Sequence, residues 1–283
     1  MKIFNNLYSF YKSSPMTASL MIANLFMYLI QEISGGSKST VNLCRLGAKC
    51  DFLISQGEYW RFISATFLHI GFIHILLNLV GLYIFGRLVE KEFSRNKYLA
   101  IYLFCGFSAT VFSYWSGSAF MDKDNIANIT VLSCVEGIGA IGAGASGAIF
   151  GLLGCYASYL LVNRSVLGKH GKESLISIGV LIFINVAYGS YGGDVDQIAH
   201  IAGLICGFAI GWLLSPAKQL LVLPDQLYEE SIIVSIKRNN LSLLFIVSFL
   251  FLIIIIFMAY YQRTQYLIEL SQICRLEEWY TIK

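Results

Sequence analysis

Two residues of the sequence carry the side chains that a serine hydrolase needs, and each lies at the start of an apolar run. Ser146 stands in Gly144-Ala145-Ser146-Gly147, and His200 stands in Ala199-His200-Ile201-Ala202-Gly203. A serine hydroxyl is a weak nucleophile unless a neighbouring base takes its proton, and histidine is the commonest such base. The other histidine in this half of the chain, His170, lies among charged residues. We predict that Ser146 and His200 meet inside a lipid bilayer as nucleophile and base.

A second polar group lies on a predicted helix nearer the N-terminus. His74 and Asn78 are four residues apart and share one helical face, and His69 lies just before them. Polar side chains are costly in hydrocarbon and therefore face a bundle interior or a cavity. The backbone N–H of Ser146, in the first turn of its helix, has no acceptor within that helix. We expect this N–H and the side chains of His74 and Asn78 to donate hydrogen bonds to one developing oxyanion.

The sequence offers no carboxylate in the outer half of a predicted helix that would orient the histidine. Asp194 and Asp196 are close to His200 in the sequence, but they fall in a predicted exposed loop. The sequence therefore predicts a Ser–His dyad and not a triad. Hydrolysis consumes water, so we also expect a water-filled cavity that opens to the outer side.

Small residues recur at helical spacing beside both reactive residues. They are Gly147, Gly151, Gly154 and Ser158 after the serine, and Gly203, Gly207 and Gly211 after the histidine. Such stripes let two helices approach closely, and they occur in many membrane proteins for packing alone. Here each stripe leads to a reactive side chain, and a serine and a histidine need a close approach to form a hydrogen bond.

Composition indicates that lipid is the main solvent of the chain. Of its 283 residues, 57% are hydrophobic and only 13% are charged, whereas soluble domains average about 25% charged residues. A net charge of +3 is too small to argue for nucleic acid, and the seven cysteines form no metal-binding motif. Stretches of about 17–25 apolar residues span a membrane. We predict an all-α bundle of seven transmembrane helices, at 16–33, 73–90, 98–117, 145–162, 174–190, 198–214 and 241–260.

The basic residues predict the orientation of these helices. The loop 189–197 has no Lys or Arg, which indicates the outer side, so the N-terminus lies inside and the C-terminus outside. The chain then divides into a cytoplasmic segment 1–15, a six-helix core 16–214, a cytoplasmic linker 215–240, a further helix 241–260 and an outer tail 261–283.

The first outer segment, at about 34–72, is too interrupted to span and too apolar for a free loop. It is either an interfacial element or an ordinary aromatic anchor, with Trp60 at headgroup depth and Arg61 reaching polar groups. Cys44 and Cys50 lie in this segment, and they form a disulfide in an oxidising compartment or remain two free thiols.

At these residues the chain resembles the rhomboid family of intramembrane serine proteases. The matching pieces are Trp60-Arg61, His69, His74 and Asn78, Gly144-Ala145-Ser146-Gly147, and Ala199-His200-Ile201-Ala202-Gly203-Leu204. The resemblance implies that Ser146 is the nucleophile, His200 the base, and His74 and Asn78 oxyanion donors. It also implies supporting roles for His69, Gly144, Gly147 and Gly203, and for Phe150, which stands where some members have a tyrosine packed on the histidine.

The resemblance further implies a substrate class. Substrates would be single-pass membrane proteins that enter past the fifth helix and are cut near the outer leaflet, after a small residue. We expect no cofactor, metal or nucleic acid. The short tails, without an added soluble domain, favour a bacterial plasma membrane as the location. Two alternatives are an inactive relative that binds transmembrane helices without cutting them, and a channel or transporter. Inactive relatives typically lose the serine or the histidine, and transporters show repeats and charged residues in mid-span. This sequence keeps both residues and shows neither transporter feature.

Overall fold

The described residues form a bundle of helices with two short β-pairings. The structure is a computed structural model, and it describes residues 2–55, 57–119, 141–191, 195–222 and 231–236, together with 253, 257, 260, 261 and 264. In chain order, the α-helices are α1 Lys2–Ser13, α2 Pro15–Ser34, α3 Thr40–Leu46, α4 Asp51–Ser55, α5 Arg61–Ser64, α6 Phe72–Gly81, α7 Arg87–Glu92, α8 Arg95–Ala119, α9 Ser146–Val162, α10 Arg164–Ser190 and α11 Gln197–Leu214. The strands are β1 Lys49–Cys50, β2 Ile141–Gly142, β3 Ala217–Val222 and β4 Ser231–Ile236.

Five helical segments in the described chain are long and apolar enough to cross a membrane. They are α2, the continuous segment Phe72–Glu92, α8, α10 and α11. Helix α9 is equally apolar but has only 17 residues. The six helices lie where the sequence predicted the first six spans. The predicted seventh span, 241–260, lies mostly outside the described residues.

Local sequence explains where these helices begin, end and bend. Helix α2 starts with Pro15, whose missing N–H is not needed in a first turn. A π-helical turn at Leu82–Gly86 joins α6 to α7, so the two form one continuous segment. Helix α10 bends at Gly168, whose φ of +51° and ψ of −130° are not helical. This bend separates a polar first part from the apolar part that the sequence predicted at 174–190.

The segment between α2 and α6 folds back on itself at one end of the bundle. Cys44 and Cys50 form a disulfide there, with their Cα atoms 5.8 Å apart. Arg61 is buried, and its guanidinium donates to the carbonyls of Cys44 and Ala48 and pairs with Glu58. The polar groups that the sequence predicted Arg61 to reach are therefore two carbonyls and a carboxylate of this same segment.

The described part of the predicted linker 215–240 contains two paired strands. Strands β3 and β4 pair antiparallel, with Ala217 opposite Ile236 and Val222 opposite Ser231. Asn163 anchors the first strand, because its side chain donates to the Pro216 carbonyl and accepts from the Lys218 N–H. The all-α prediction holds for the bundle and misses this hairpin, whose strands are six residues long and lie between apolar runs.

Helix α9 lies at the centre of the bundle. The largest cluster of buried apolar side chains joins it to α8, α11 and the segment Phe72–Glu92, and includes Tyr98, Tyr102, Leu152, Leu153, Tyr159, Ile210 and Leu214. By contrast, α10 has most of its apolar side chains exposed on the bundle surface. The helix that begins with Ser146 is therefore held on several sides, whereas α10 is held on few.

Candidate active site

Ser146 is the first residue of α9, and the backbone before it is shaped by a glycine. Gly144 has a φ of +142°, which L side chains rarely adopt, and a Cβ there would lie 2.8 Å from Nε2 of His74. The Gly144 N–H donates to the Ala65 carbonyl at 2.9 Å. The pairing of β2 with β1 connects this stretch to the disulfide-linked segment. The backbone before Ser146 is thus fixed by these hydrogen bonds, and the backbone after it is fixed by α9.

His200 lies in the first turn of α11 and is 7% exposed. Asp196 caps this helix, since its side chain accepts from the Ala199 N–H at 2.9 Å. The other carboxylate oxygen of Asp196 accepts from the hydroxyl of Ser113 on α8. The aspartate that the sequence placed in an exposed loop therefore fixes the start of the helix that carries the histidine.

The structure brings Ser146 and His200 together. Oγ of Ser146 lies 2.7 Å from Nε2 of His200, although the two residues are 54 positions apart. This is the distance of a good hydrogen bond. The two side chains can form it because their helices touch along both glycine stripes, as next described.

The glycine stripe of α11 packs against the backbone of α9 at Gly147 and Gly151. A Cβ on Gly203 would lie 2.0 Å from the carbonyl oxygen of Gly147, and one on Gly207 would lie 1.9 Å from that of Gly151. Real Cβ atoms do not approach other atoms so closely, so any side chain at these positions would force the helices apart. The glycines thus serve both packing and the site, because the close packing of α9 and α11 sets the distance between Ser146 and His200.

Two further side chains hold the imidazole of His200. The ring of Phe150, one turn after Ser146, stacks on it with centroids 4.3 Å apart. Oδ1 of Asn185, on α10, lies 2.9 Å from Nδ1 of the imidazole. Sequence reasoning missed Asn185. The available signal was a lone amide in an apolar span, which is costly in lipid unless it has a partner.

His74 and Asn78 lie on one face of α6, as their spacing requires. Nδ1 of His74 accepts from the Ile70 N–H at 3.3 Å, and its Nε2 points towards Gly144, next to the serine. The amide of Asn78 donates to the His74 carbonyl at 2.8 Å. Its Oδ1 is buried without a partner among the described residues. His74 thus borders the serine, whereas the Asn78 amide is turned towards its own helix.

His69 lies just before α6 and next to Ala145, the residue before the serine. It is fully buried, and burial, followed by the nearby His74, lowers the pKa of its imidazole to about 3, so that the ring is neutral. Its Nε2 accepts from the Ala145 N–H at 3.4 Å. The side chain of Gln31 holds its backbone by donating to the His69 carbonyl and accepting from the His69 N–H.

Among the residues that the structure describes, no three His, Cys, Asp or Glu side chains come together as a metal-binding group. The groups that the described site offers are a hydroxyl, imidazoles, an amide and backbone N–H groups.

Curated relatives of the chain carry rhomboid names. "Rhomboid protease GluP" of Bacillus subtilis is 34% identical over 200 residues, which cover 70% of this chain and 35% of that protein. "RHOMBOID-like protein 6, mitochondrial" of Arabidopsis thaliana is 36% identical over 64% of this chain and 51% of that protein. "Rhomboid protease AarA" of Providencia stuartii is 30% identical over 72% of this chain and 74% of that protein. The match with the first two spans only about a third and a half of their lengths.

A protein-family model also matches the chain, and it defines the bounds of the matching domain. The Rhomboid domain matches residues 56–217, which is more than half of the 283-residue chain and includes Ser146, His200, His74 and Asn78. The match also covers the apolar helices from Phe72 to Leu214. The chain therefore belongs to the rhomboid family and is an integral, multi-pass membrane protein.

Proposed function

We propose that the protein is an intramembrane serine endopeptidase that cuts transmembrane proteins with a Ser146–His200 dyad. The observation that carries the proposal is the 2.7 Å contact between Oγ of Ser146 and Nε2 of His200. The relatives whose names call them rhomboid proteases support the same class of activity.

The proposed reaction has two stages. Oγ of Ser146 attacks the scissile carbonyl while Nε2 of His200 takes the hydroxyl proton, and the tetrahedral intermediate collapses as the imidazolium protonates the leaving amine. A water molecule then attacks the acyl-serine ester, and its proton goes to the same Nε2. Collapse of the second intermediate returns the proton to Oγ and releases the new carboxyl terminus.

The proposed oxyanion donors come from two helices. The Ser146 N–H lies in the first turn of α9, where backbone donors are free and the helix dipole favours negative charge. His74 borders this position through Gly144, and its Nε2 can donate when it carries the proton. The Asn78 amide would have to turn away from the His74 carbonyl, where it now donates. Each such donor is typically worth about 10²–10³ in rate.

Several observations favour an outer position for the site. Ser146 and His200 lie at the same end of the bundle as the segment with the Cys44–Cys50 disulfide. The connection is the pairing of β1 with β2, in which Lys49 lies opposite Gly142, four residues before the serine. Disulfides persist in oxidising compartments, so this end belongs outside the cytoplasm and the N-terminus inside. A bacterial plasma membrane meets this condition. Single-pass substrates would enter past α10, the least buried of the five candidate spans among the described residues.

A reconstituted cleavage assay tests the proposal. The full chain in proteoliposomes should cut a model type I transmembrane substrate, and Ser146→Ala and His200→Ala should each abolish the cut. Ser177→Ala, an exposed serine of α10, and His170→Ala, an exposed histidine, are matched controls and should cut like the unmodified protein. Cleavage that survives Ser146→Ala would refute the dyad. Binding of the substrate without cleavage by the unmodified protein would favour the inactive relative.

A further inference from the structure

Asn185 places a hydrogen-bonding group against the side of the imidazole that faces away from the serine. It lies on the apolar part of α10, and its Oδ1 is 2.9 Å from Nδ1 of His200. Nε2 of the same ring is 2.7 Å from Oγ of Ser146. The three side chains therefore form one line of contacts, from an amide through an imidazole to a hydroxyl, contributed by three helices.

The chemistry of this line selects one tautomer of the imidazole. A carbonyl oxygen only accepts hydrogen bonds, so Nδ1 must carry the proton that Oδ1 receives. In the neutral ring, Nε2 then has a free lone pair, which is the form that can take the proton of Ser146. From this geometry we infer that Asn185 is a positioning residue, which keeps His200 in the tautomer and rotamer that serve the proposed reaction. The inference rests on the proposed protease function.

Other neighbours of His200 cannot do the same. Phe150 stacks on the ring face, and a stack fixes the plane of a ring without distinguishing its two nitrogens. The two carboxylate oxygens of Asp196 already accept from the Ala199 N–H and the Ser113 hydroxyl. Among the described residues, Asn185 is thus the side chain whose contact distinguishes one ring nitrogen from the other.

Asn185 also acts after the proton has moved. The imidazolium that forms during acylation carries a proton on both nitrogens, and Oδ1 continues to accept from Nδ1. An amide does not take that proton, so charge remains on the ring until the leaving amine is protonated. Hydrogen bonds to charged groups are worth about 1.5–3 kcal/mol, which corresponds to a rate effect on the order of 10- to 100-fold.

A pair of variants of equal size separates positioning from simple packing. Asn185→Leu keeps the shape and removes the acceptor, whereas Asn185→Asp keeps both. We expect Asn185→Leu to lower kcat about 10- to 100-fold with KM changed by less than about twofold. We expect Asn185→Asp to keep kcat within about threefold of the unmodified value, because a carboxylate also accepts from Nδ1. Leu25→Ala, at an exposed apolar position of α2, is the control and should change neither constant.

The pH profile gives a second readout that packing would not move. A carboxylate at 185 favours the protonated imidazole, so the acid limb of the kcat profile of Asn185→Asp should move to higher pH. The other titratable groups near the ring, Asp196 and His74, are the same in both variants. An unchanged kcat for Asn185→Leu, or equal losses for Asn185→Leu and Asn185→Asp, would overturn the inference. If the unmodified protein cuts in a Ser146-dependent way, either result leaves the proposed function intact.

Discussion

The ring of Phe150 lies parallel to the imidazole of His200, with the two planes inclined by only 10°. Phe150 is four residues after Ser146 on α9, so one helix carries both the hydroxyl that bonds to the imidazole and the ring that stacks on it. The histidine of α11 is therefore held edge-on by the serine and face-on by the phenylalanine.

Removing this ring should lower turnover moderately. Stacked aromatic pairs contribute about 0.5–1.5 kcal/mol beyond burial, so Phe150→Leu should reduce kcat by about 2- to 10-fold in the proteoliposome assay. Phe150→Tyr should retain nearly full turnover because a phenol stacks equally well. Phe208, which stacks with Trp212 on α11 away from the serine, provides the control Phe208→Leu. Full turnover in Phe150→Leu would show that the stack is not needed.

Gly203 should tolerate no side chain. Its Cβ would enter the carbonyl oxygen of Gly147, so Gly203→Ala must push α9 and α11 apart and lengthen the contact between Ser146 and His200. Misplacing reacting groups by about 1 Å can cost on the order of 10² in rate, and overpacking costs about 1–3 kcal/mol of stability. Cleavage rate and the unfolding midpoint in detergent measure the two effects.

Gly179 supplies the matched control for that substitution. It lies in α10, where an added Cβ meets no atom within 4 Å. Gly179→Ala should therefore keep activity, and by stiffening the unfolded chain it should raise stability by about 0.4–1 kcal/mol. Equal losses in both alanine variants would show that the close contact between α9 and α11 is not what matters.

Arg61 should not be replaceable by lysine. Its guanidinium serves the Cys44 and Ala48 carbonyls and the Glu58 carboxylate at once, and it lies 4.6 Å from the centre of the Trp60 ring. A lysine ammonium lacks this fork geometry, so Arg61→Lys should leave buried acceptors unpaired and lower the free energy of unfolding by about 1–3 kcal/mol. Thermal unfolding measures the loss, with the exposed Arg45→Lys as control. Equal midpoints in the two variants would contradict this role.

The disulfide can be tested by peptide mapping. Trypsin cuts after Arg45 and Lys49, so Cys44 and Cys50 fall in the separate peptides 39–45 and 50–61. Mass spectrometry of the protein isolated from membranes should find these two peptides joined without reductant and separate with it. Free, alkylated peptides without reductant would rule the bond out. The double variant Cys44→Ser with Cys50→Ser should lose about 2 kcal/mol of stability, by the entropy of a short loop.

The sequence predicted the bundle well because its signal is long and repetitive. Six apolar runs lie on helices, and the serine and histidine that open two of those runs meet in the structure. The glycine stripes, with their four-residue spacing, predicted which two helices touch. Each of these features is encoded by many residues, so it can be predicted without knowledge of the tertiary structure.

What the sequence did not predict depends on single side chains. Asn185 is one amide in an apolar run, and its pairing with His200 depends on how α10 is rotated. Arg61 was predicted to reach polar groups, but the two carbonyls that it binds have no signature in the sequence. The β3–β4 hairpin pairs two short apolar strands. Short apolar stretches like these also occur in unpaired connections, so the sequence does not predict the pairing. The predicted seventh span stays a prediction, since it lies mostly outside the described residues.

Gly147 of α9 and Gly203 of α11 differ in whether a second mutation could make room for an added methyl group. A methyl group added at Gly147 would meet Cβ of Ala109, on α8, at 2.4 Å, and a second mutation to glycine at 109 can clear that space. A methyl group added at Gly203 meets a carbonyl oxygen, which every amino acid carries. A second mutation at 109 can therefore compensate for Gly147→Ala. No substitution at 147 can compensate in the same way for Gly203→Ala, because the carbonyl oxygen stays whatever the side chain.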